Sequence, residues 1–386
     1  MTGARPARTV SVDLVRGVVM VIMVLDHARD FFFGFNPEPT DLATTNVVLF
    51  STRWITHFCA PVFVFLAGAS AYFYGRRYGK ERVPAYLASR GAWLVLLELT
   101  VVRLGWIPDL GYHFSVLQVI WAIGWSMIVL ALLSRLPVRA VLAAGGAIVL
   151  GHNLLDGIDA KTLGALRPLW LVLHQRGAIE PLPGRLIFVM YPLLAWFGVI
   201  ALGWSFGALY DRPADERRRI TLRLGLGAIA AFVILRGLNV YGDPSPWSAQ
   251  PRGGLFTVLS FLNCTKYPPS LLYLLMTLGP ALVCLYAVEP IERAAWLAPF
   301  VVFGRVPLLF YVAHVYLLRF TAIPIAIARF GASAMDPPPQ GHFGSASLPL
   351  YAAYLAWLTA LVLLYPLCRW FSGLKSRRRD WWLSYL

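Results

Sequence analysis

The run "VLDHARD" at residues 24–30 places Asp26, His27 and Asp30 at the end of an otherwise apolar helix. Asp26 and Asp30 are i, i+4, and His27 and Asp30 are i, i+3, so His27 has a carboxylate one turn away on its own helix. A carboxylate so placed can orient an imidazole and stabilise its protonated form, the arrangement of a general base working near neutral pH. The competing reading is a polar helix end that reaches the membrane interface with His27 hydrated. Val18 to Leu25 is unbroken apolar sequence, and beyond it Asp13 and Arg16 sit i, i+3 and could pair on one face. A charge in hydrocarbon costs about 2.5–3.5 kcal/mol even on the lenient insertion scale, so such groups face a bundle interior or a wet cavity.

Two further histidines fall at a similar depth. At about 1.5 Å of rise per residue, His27 lies roughly 24 Å from the inner end of its span. His314, in "GRVPLLFYVAHVYLLRF", lies roughly 24 Å up from the inside, and His57, in "RWITHFCAPVFVFLAG", roughly 6 Å below the outer surface. Arg16 precedes His27 by about three helical turns on the same face, and Arg305 precedes His314 within one apolar stretch. Arginines inside and histidines outside can be read as the lining of a tunnel. They can also be read as core groups satisfied one at a time.

The elements that position these residues follow from hydropathy. The 386 residues are 58% hydrophobic and 14% charged, against about 25% charged in a soluble domain. Apolar runs recur at the length of roughly 20 residues that crosses a bilayer. The spacing predicts an all-α polytopic membrane protein, a bundle of about ten transmembrane helices near 11–33, 54–75, 88–107, 114–134, 137–153, 185–209, 220–240, 268–288, 298–322 and 348–371. The chain reads as one domain over 1–386, with a basic tail at 373–386. Arg5 and Arg8 lead straight into the first span, without the pattern of a cleavable signal.

The net charge of +15 matches a positive-inside bias and a lipid bilayer partner, not nucleic acid. Arg76, Arg77, Lys80, Arg82 and Arg90 follow the second span, Arg135 and Arg139 the fourth, and Arg212, Arg217, Arg218, Arg219 and Arg223 the sixth. Lys375, Arg377, Arg378 and Arg379 lie in the tail. Links alternating in this way put both termini in the cytoplasm and the chain in the cytoplasmic (inner) membrane. Of the outer links near 34–53, 108–113, 154–184, 241–267 and 323–347, three are long, rich in Pro, Gly, Trp and polar residues, and could shape a binding site. The link at Glu289, Glu292 and Arg293 carries no positive excess.

No metal is expected. Cys59, Cys264, Cys284 and Cys368 form no CxxC pair, and Asp156, Asp159 and His174 lack ligand spacing. The aromatic "FFFGF" at 31–35 suits an interfacial belt better than a sugar platform, and the tail "SRRRDWWLSYL" suits a membrane-surface anchor.

"SVDLVRGVVMVIMVLDHARDFF", "RWITHFCAPVFVFLAGASAYFYGRR", "NCTKYPPSLLYLLMTLGP" and "GRVPLLFYVAHVYLL" resemble, in order and over nearly the whole chain, a bacterial family of multi-pass membrane proteins. That family is related to the catalytic domain of heparan-α-glucosaminide N-acetyltransferase and, more distantly, to integral-membrane O-acyltransferases. The resemblance implies passage of an acyl group from cytosolic acyl-coenzyme A (acetyl-CoA) to an amine or hydroxyl acceptor on the far side, a glycan or other small molecule. Arg16-Gly17 and His27 match the O-acyltransferase pattern, in which that histidine is catalytic. The lysosomal branch instead has Asn at this position and its active His in the following loop. Residues 34–53 here hold no His, which makes His57 a substitute candidate. His314 matches a family position in the penultimate span.

The resemblance thus implies His27 as base or acyl carrier, tuned by Asp26 or Asp30. The phosphates of coenzyme A favour Arg and Lys, so Arg16, Arg305, Arg76 and Arg77 are candidates by depth. Lys266 in "NCTKYPPS" suits the acceptor or the thioester oxygen, or is an interfacial lysine. The alternative function is a proton- or ion-coupled transporter using the same Asp, His and Arg groups. Assembly into a homo-oligomer is left open by the sequence.

Overall fold

The computed structural model describes residues 9–34, 37–336, 344–378 and 380–385. Arg5, Arg8, Phe35, part of the last outer loop (337–343) and Arg379 lie outside them. Among the described residues the α-helices are fifteen: α1 Val10–Ala28, α2 Val47–Ile55, α3 Cys59–Tyr78, α4 Val83–Leu97, α5 Arg103–Trp106, α6 Val119–Leu133, α7 Val138–Gly151, α8 Arg167–Leu173, α9 Leu194–Gly207, α10 Ala214–Leu238, α11 Gly254–Leu262, α12 Leu271–Val288, α13 Ala298–Arg305, α14 Pro307–Phe330 and α15 Leu350–Arg377. Among the described residues, eight continuous helical stretches are long and apolar enough to cross a membrane. They correspond to eight of the ten expected spans. The protein is an all-α polytopic membrane protein.

The other two spans differ for physical reasons. α1 carries Asp13, Arg16 and Asp26, which break the apolar criterion although it packs at the centre, on α3, α12, α13, α14 and α15. The stretch expected at 114–134 begins as a strand, β1 Phe114–Leu117, and its helix α6 has only 15 residues. The span expected from 185 also opens as a strand. β3 Arg185–Val189 pairs parallel to β1, with Phe114 opposite Leu186, and antiparallel to β2 Gly177–Leu182. β-Branched and aromatic residues (Val116, Ile187, Phe188 and Val189) favour this extended form. The expected helix 298–322 is two helices. Pro307 forces Val306 out of the helical region, to φ −130° and ψ 48°, and α14 starts afresh.

Helix pairs approach closely where small residues face each other. A Cβ on Gly17 would lie 1.8 Å from the Phe300 carbonyl oxygen, and one on Gly304 would lie 1.8 Å from that of Asp13. α1 and α13 can therefore cross in backbone contact only because both positions are glycine. Gly68 and Gly203 do the same for α3 and α9. Arg16 locks the first crossing. It donates to Asp13 Oδ1 at 3.0 Å, to the Gly304 carbonyl at 3.1 Å and to Ser70 Oγ at 2.7 Å, joining α1, α13 and α3.

The start of α1 and the end of α15 lie at the same end of the bundle. Arg305 comes within 3.9 Å of Asp13 and shares a groove with Arg369 and Arg377. After α15 the tail turns over Trp381–Ser384 and reaches α4, where the Tyr385 hydroxyl donates to Ser89 Oγ at 2.9 Å.

Candidate active site

At the opposite end, α1 passes into a π-helical turn, Arg29–Phe33, closed by the Gly34 N–H on the Arg29 carbonyl at 3.0 Å. Such turns shift the side-chain phase by a residue and recur at functional sites. Here the shift follows directly on His27. Opposite it, α14 presents His314, fully buried. His27 Nδ1 and His314 Nε2 are 2.6 Å apart, with the two rings within 10° of parallel. His314 Nδ1 lies 2.8 Å from the Phe310 carbonyl oxygen.

This geometry fixes the tautomers. A carbonyl only accepts, so His314 Nδ1 carries hydrogen and donates to Phe310. In neutral His314 the Nε2 is then an acceptor, so His27 Nδ1 must be its donor. The lone pair of neutral His27 is thereby left on Nε2, which has no hydrogen-bond partner among the described residues. Trp106 meets the ring of His27 edge-on, with centroids 4.8 Å apart, and Tyr311 does so at 6.0 Å. These two are tied by a 3.3 Å hydrogen bond from Trp106 Nε1 to the Tyr311 hydroxyl.

The carboxylates expected to orient His27 are engaged elsewhere. Asp26 Oδ1 accepts from Arg29 at 3.1 Å, Asp26 Oδ2 pairs with Arg53, and Asp30 pairs with Arg29 at 2.6 Å. A guanidinium is a permanently charged multiple donor and takes a carboxylate in preference to a neutral imidazole. Sequence reasoning passed over Arg29 and Arg53. Arg29 carried the same signal as Asp26, a charge at membrane depth, whereas Arg53 falls at the end of the outer link expected over 34–53.

His57 is buried, with Nδ1 unpartnered among the described residues and its ring 5.4 Å from that of Tyr273. It touches neither His27 nor His314, but shares the electrostatic neighbourhood of Lys266, Arg53 and Asp26. Lys266, in the loop before α12, bears on Asp26, His27, Asp30 and His57 together. Among the described residues its ammonium has no carboxylate partner. It lies 5.2 Å from the ring centre of Tyr267. Burial pushes the Tyr267 phenol up, but Lys266 and Arg53 outweigh this and hold it below the usual tyrosine value.

The cationic candidates divide. Arg16 spends its donors on the helix crossing. Arg76 pairs with Asp211 at 2.9 Å and donates to the Tyr210 carbonyl at 3.0 Å. Arg77 is exposed, 5.2 Å from the Tyr78 ring centre. Arg305 borders the groove at the basic end. His174 and Asp156 meet each other at 2.9 Å. Among the described residues, no three His, Cys, Asp or Glu side chains gather to hold a metal.

The model of the family "Heparan-alpha-glucosaminide N-acetyltransferase, catalytic" matches residues 8–241. No curated protein sequence matches the chain significantly. The family match covers α1 to α10, including His27 and His57, and ends before Lys266 and His314. It spans more than half of the chain and agrees with the apolar helices: the chain belongs to the family of heparan-α-glucosaminide N-acetyltransferase catalytic domains and is a multi-pass membrane acyltransferase.

Proposed function

We propose that this chain moves an acyl group, acetyl first among candidates, from cytosolic acyl-coenzyme A to an amine or hydroxyl of a sugar or other small acceptor outside the cytoplasm. The observation that carries this reading is the relay from the Phe310 carbonyl through His314 to His27, which ends in an open lone pair on His27 Nε2. The basic end of the bundle faces the cytoplasm of the inner membrane by the positive-inside rule, with both termini there. The donor enters from that end, where Arg76 and Arg77 are the phosphate partners. The acceptor reaches His27 from the other end, where the long loops lie.

His27 Nε2 takes the proton of the acceptor as its nitrogen or oxygen attacks the thioester carbonyl. His314 accepts the hydrogen bond from Nδ1 throughout and spreads the charge of the imidazolium that forms. The carbonyl oxygen becomes negative, and Lys266 is the cation without a carboxylate partner in its neighbourhood. Collapse breaks the carbon–sulfur bond. The thiolate leaves with the proton from His27, giving free coenzyme A and the acylated acceptor. The alternative course is attack by His27 Nε2 itself to form an acyl-imidazole.

The test uses purified protein in detergent with acetyl-coenzyme A and a panel of amino sugars and sugar alcohols, following thiol release and acylated product. Acceptor-dependent release supports direct transfer, and a stoichiometric burst without acceptor selects the acyl-imidazole. Solute flux in sealed vesicles without coenzyme A, with no thioester cleavage by any acceptor, would favour the transporter reading instead.

A further inference from the structure

Away from His27, at the basic end, α13 and α15 enclose an open groove of about 620 Å³ lined by Arg305, Tyr365, Arg369, Trp370, Ser376 and Arg377 among others. Three guanidiniums thus border one space. Among the described residues, neither Arg369 nor Arg377 has a carboxylate partner, and Arg305 has only Asp13 at 3.9 Å. Guanidiniums gathered around one space, two of them without a carboxylate partner among the described residues, are a phosphate-binding set.

The surroundings select the kind of phosphate. α15 is an outlying helix, most of whose apolar residues are left uncovered by the rest of the chain. Leu355, Leu358, Val362, Leu363 and Trp370 are each more than half exposed, at spacings that run an apolar strip along the helix to the groove. A tryptophan and arginines at the end of such a strip mark the level where headgroups meet acyl chains. A soluble nucleotide has no use for the strip, whereas a lipid lays its chains on it.

We propose that the α13–α15 groove binds the phosphate of an anionic phospholipid of the cytoplasmic leaflet, its chains lying along α15. The groove stands apart from the His27 site, and the proposal does not depend on the acyl-transfer reading.

The test is lipid retention by the full chain in detergent, read by native mass spectrometry against mixed micelles of phosphatidylglycerol or phosphatidylcholine. Wild type should retain phosphatidylglycerol preferentially. Arg369→Gln with Arg377→Gln should lower that preference about 30-fold, as two interfacial cations together contribute. Arg369→Lys with Arg377→Lys, which keeps the charge, should retain most of it and controls for folding. Equal retention of the two lipids by wild type, or an unchanged preference in the Gln pair, would overturn the proposal. So would displacement of phosphatidylglycerol by inorganic phosphate or by coenzyme A. A raised KM for acetyl-coenzyme A in the Gln pair would reassign the groove to the donor.

Discussion

If His314 orients His27, its removal should slow turnover without unfolding the chain. In His314→Ala, His27 Nδ1–H loses the acceptor it meets at 2.6 Å. The neutral ring then has no fixed tautomer, and the imidazolium formed during attack has no partner. A hydrogen bond to a charged group contributes about 1.5–3 kcal/mol. On the rate scale that is about 10–150-fold in kcat. On the proposed mechanism His27→Ala removes the base itself and should cost about 10²–10⁴-fold. Because both act through one lone pair, the double variant should be no slower than His27→Ala alone. His314→Gln can present an amide oxygen near the position of Nε2 and should recover most of the His314→Ala loss. The assay is acceptor-dependent thiol release from acetyl-coenzyme A, on protein that elutes as a single folded species. A rate for His314→Ala within threefold of wild type, beside an inactive His27→Ala, would refute the relay. So would a double variant whose loss is the product of the two single losses.

Other expectations follow from the same packing. Asp26→Ala takes a carboxylate from the buried Arg29 and the half-buried Arg53 and should destabilise the protein by about 3 kcal/mol, measured as a fall in Tm, with part of it recovered in Asp26→Leu/Arg53→Met. Gly17→Ala puts a Cβ 1.8 Å from the Phe300 carbonyl oxygen, so α1 and α13 must separate. Yield of folded protein should drop, whereas Gly146→Ala, where nothing lies within 4 Å, should be neutral. Cysteines placed in 76–90 should resist an impermeant thiol reagent in intact cells and cysteines placed in 241–255 should react; the reverse would invert the topology. In the loop after α5, burial pushes the Asp109 carboxyl up, but hydrogen bonds from the His113 and Gly111 amides and the His113 ring outweigh it and hold it at about 2. Its folded value lies below its unfolded one, so its stabilising contribution is complete above about pH 4 and fades as pH falls towards 2. Asp109→Asn should remove that dependence from the proteolysis rate of the loop.

The helices were legible because each apolar run must satisfy its own backbone in hydrocarbon, whatever its neighbours do. Two limits were also local in origin. Strands β1 and β3 are apolar enough to pass for helix ends, since hydropathy does not separate a buried strand from a buried helix. The break at Val306 could have been read from Pro307, but an apolar stretch on both sides of it concealed the change of direction. His27 was legible as an ionisable group that a membrane helix would otherwise exclude. His314 was legible at the same depth, but the hydrogen bond that joins the two rings was not.

A carboxylate three residues along the same helix is what sequence can offer, and local spacing made Asp30 the natural orienter. The choice is made in three dimensions, by competition for acceptors. Arg29 lies on the same helix as both carboxylates, and Arg53 arrives on α2. Together they take both oxygens of Asp26 and one of Asp30, and neither carboxylate meets the His27 ring. His27 is then left to the one acceptor that the crossing of α1 with α14 supplies, and that crossing depends on Gly17 and Gly304 letting α13 pass and on Pro307 restarting the helix. The site is therefore spelled by residues that do no chemistry. A substitution at Gly304, far from His27 in the chain and without any polar side-chain atom, bears on His27 because it helps decide which histidine that ring will meet.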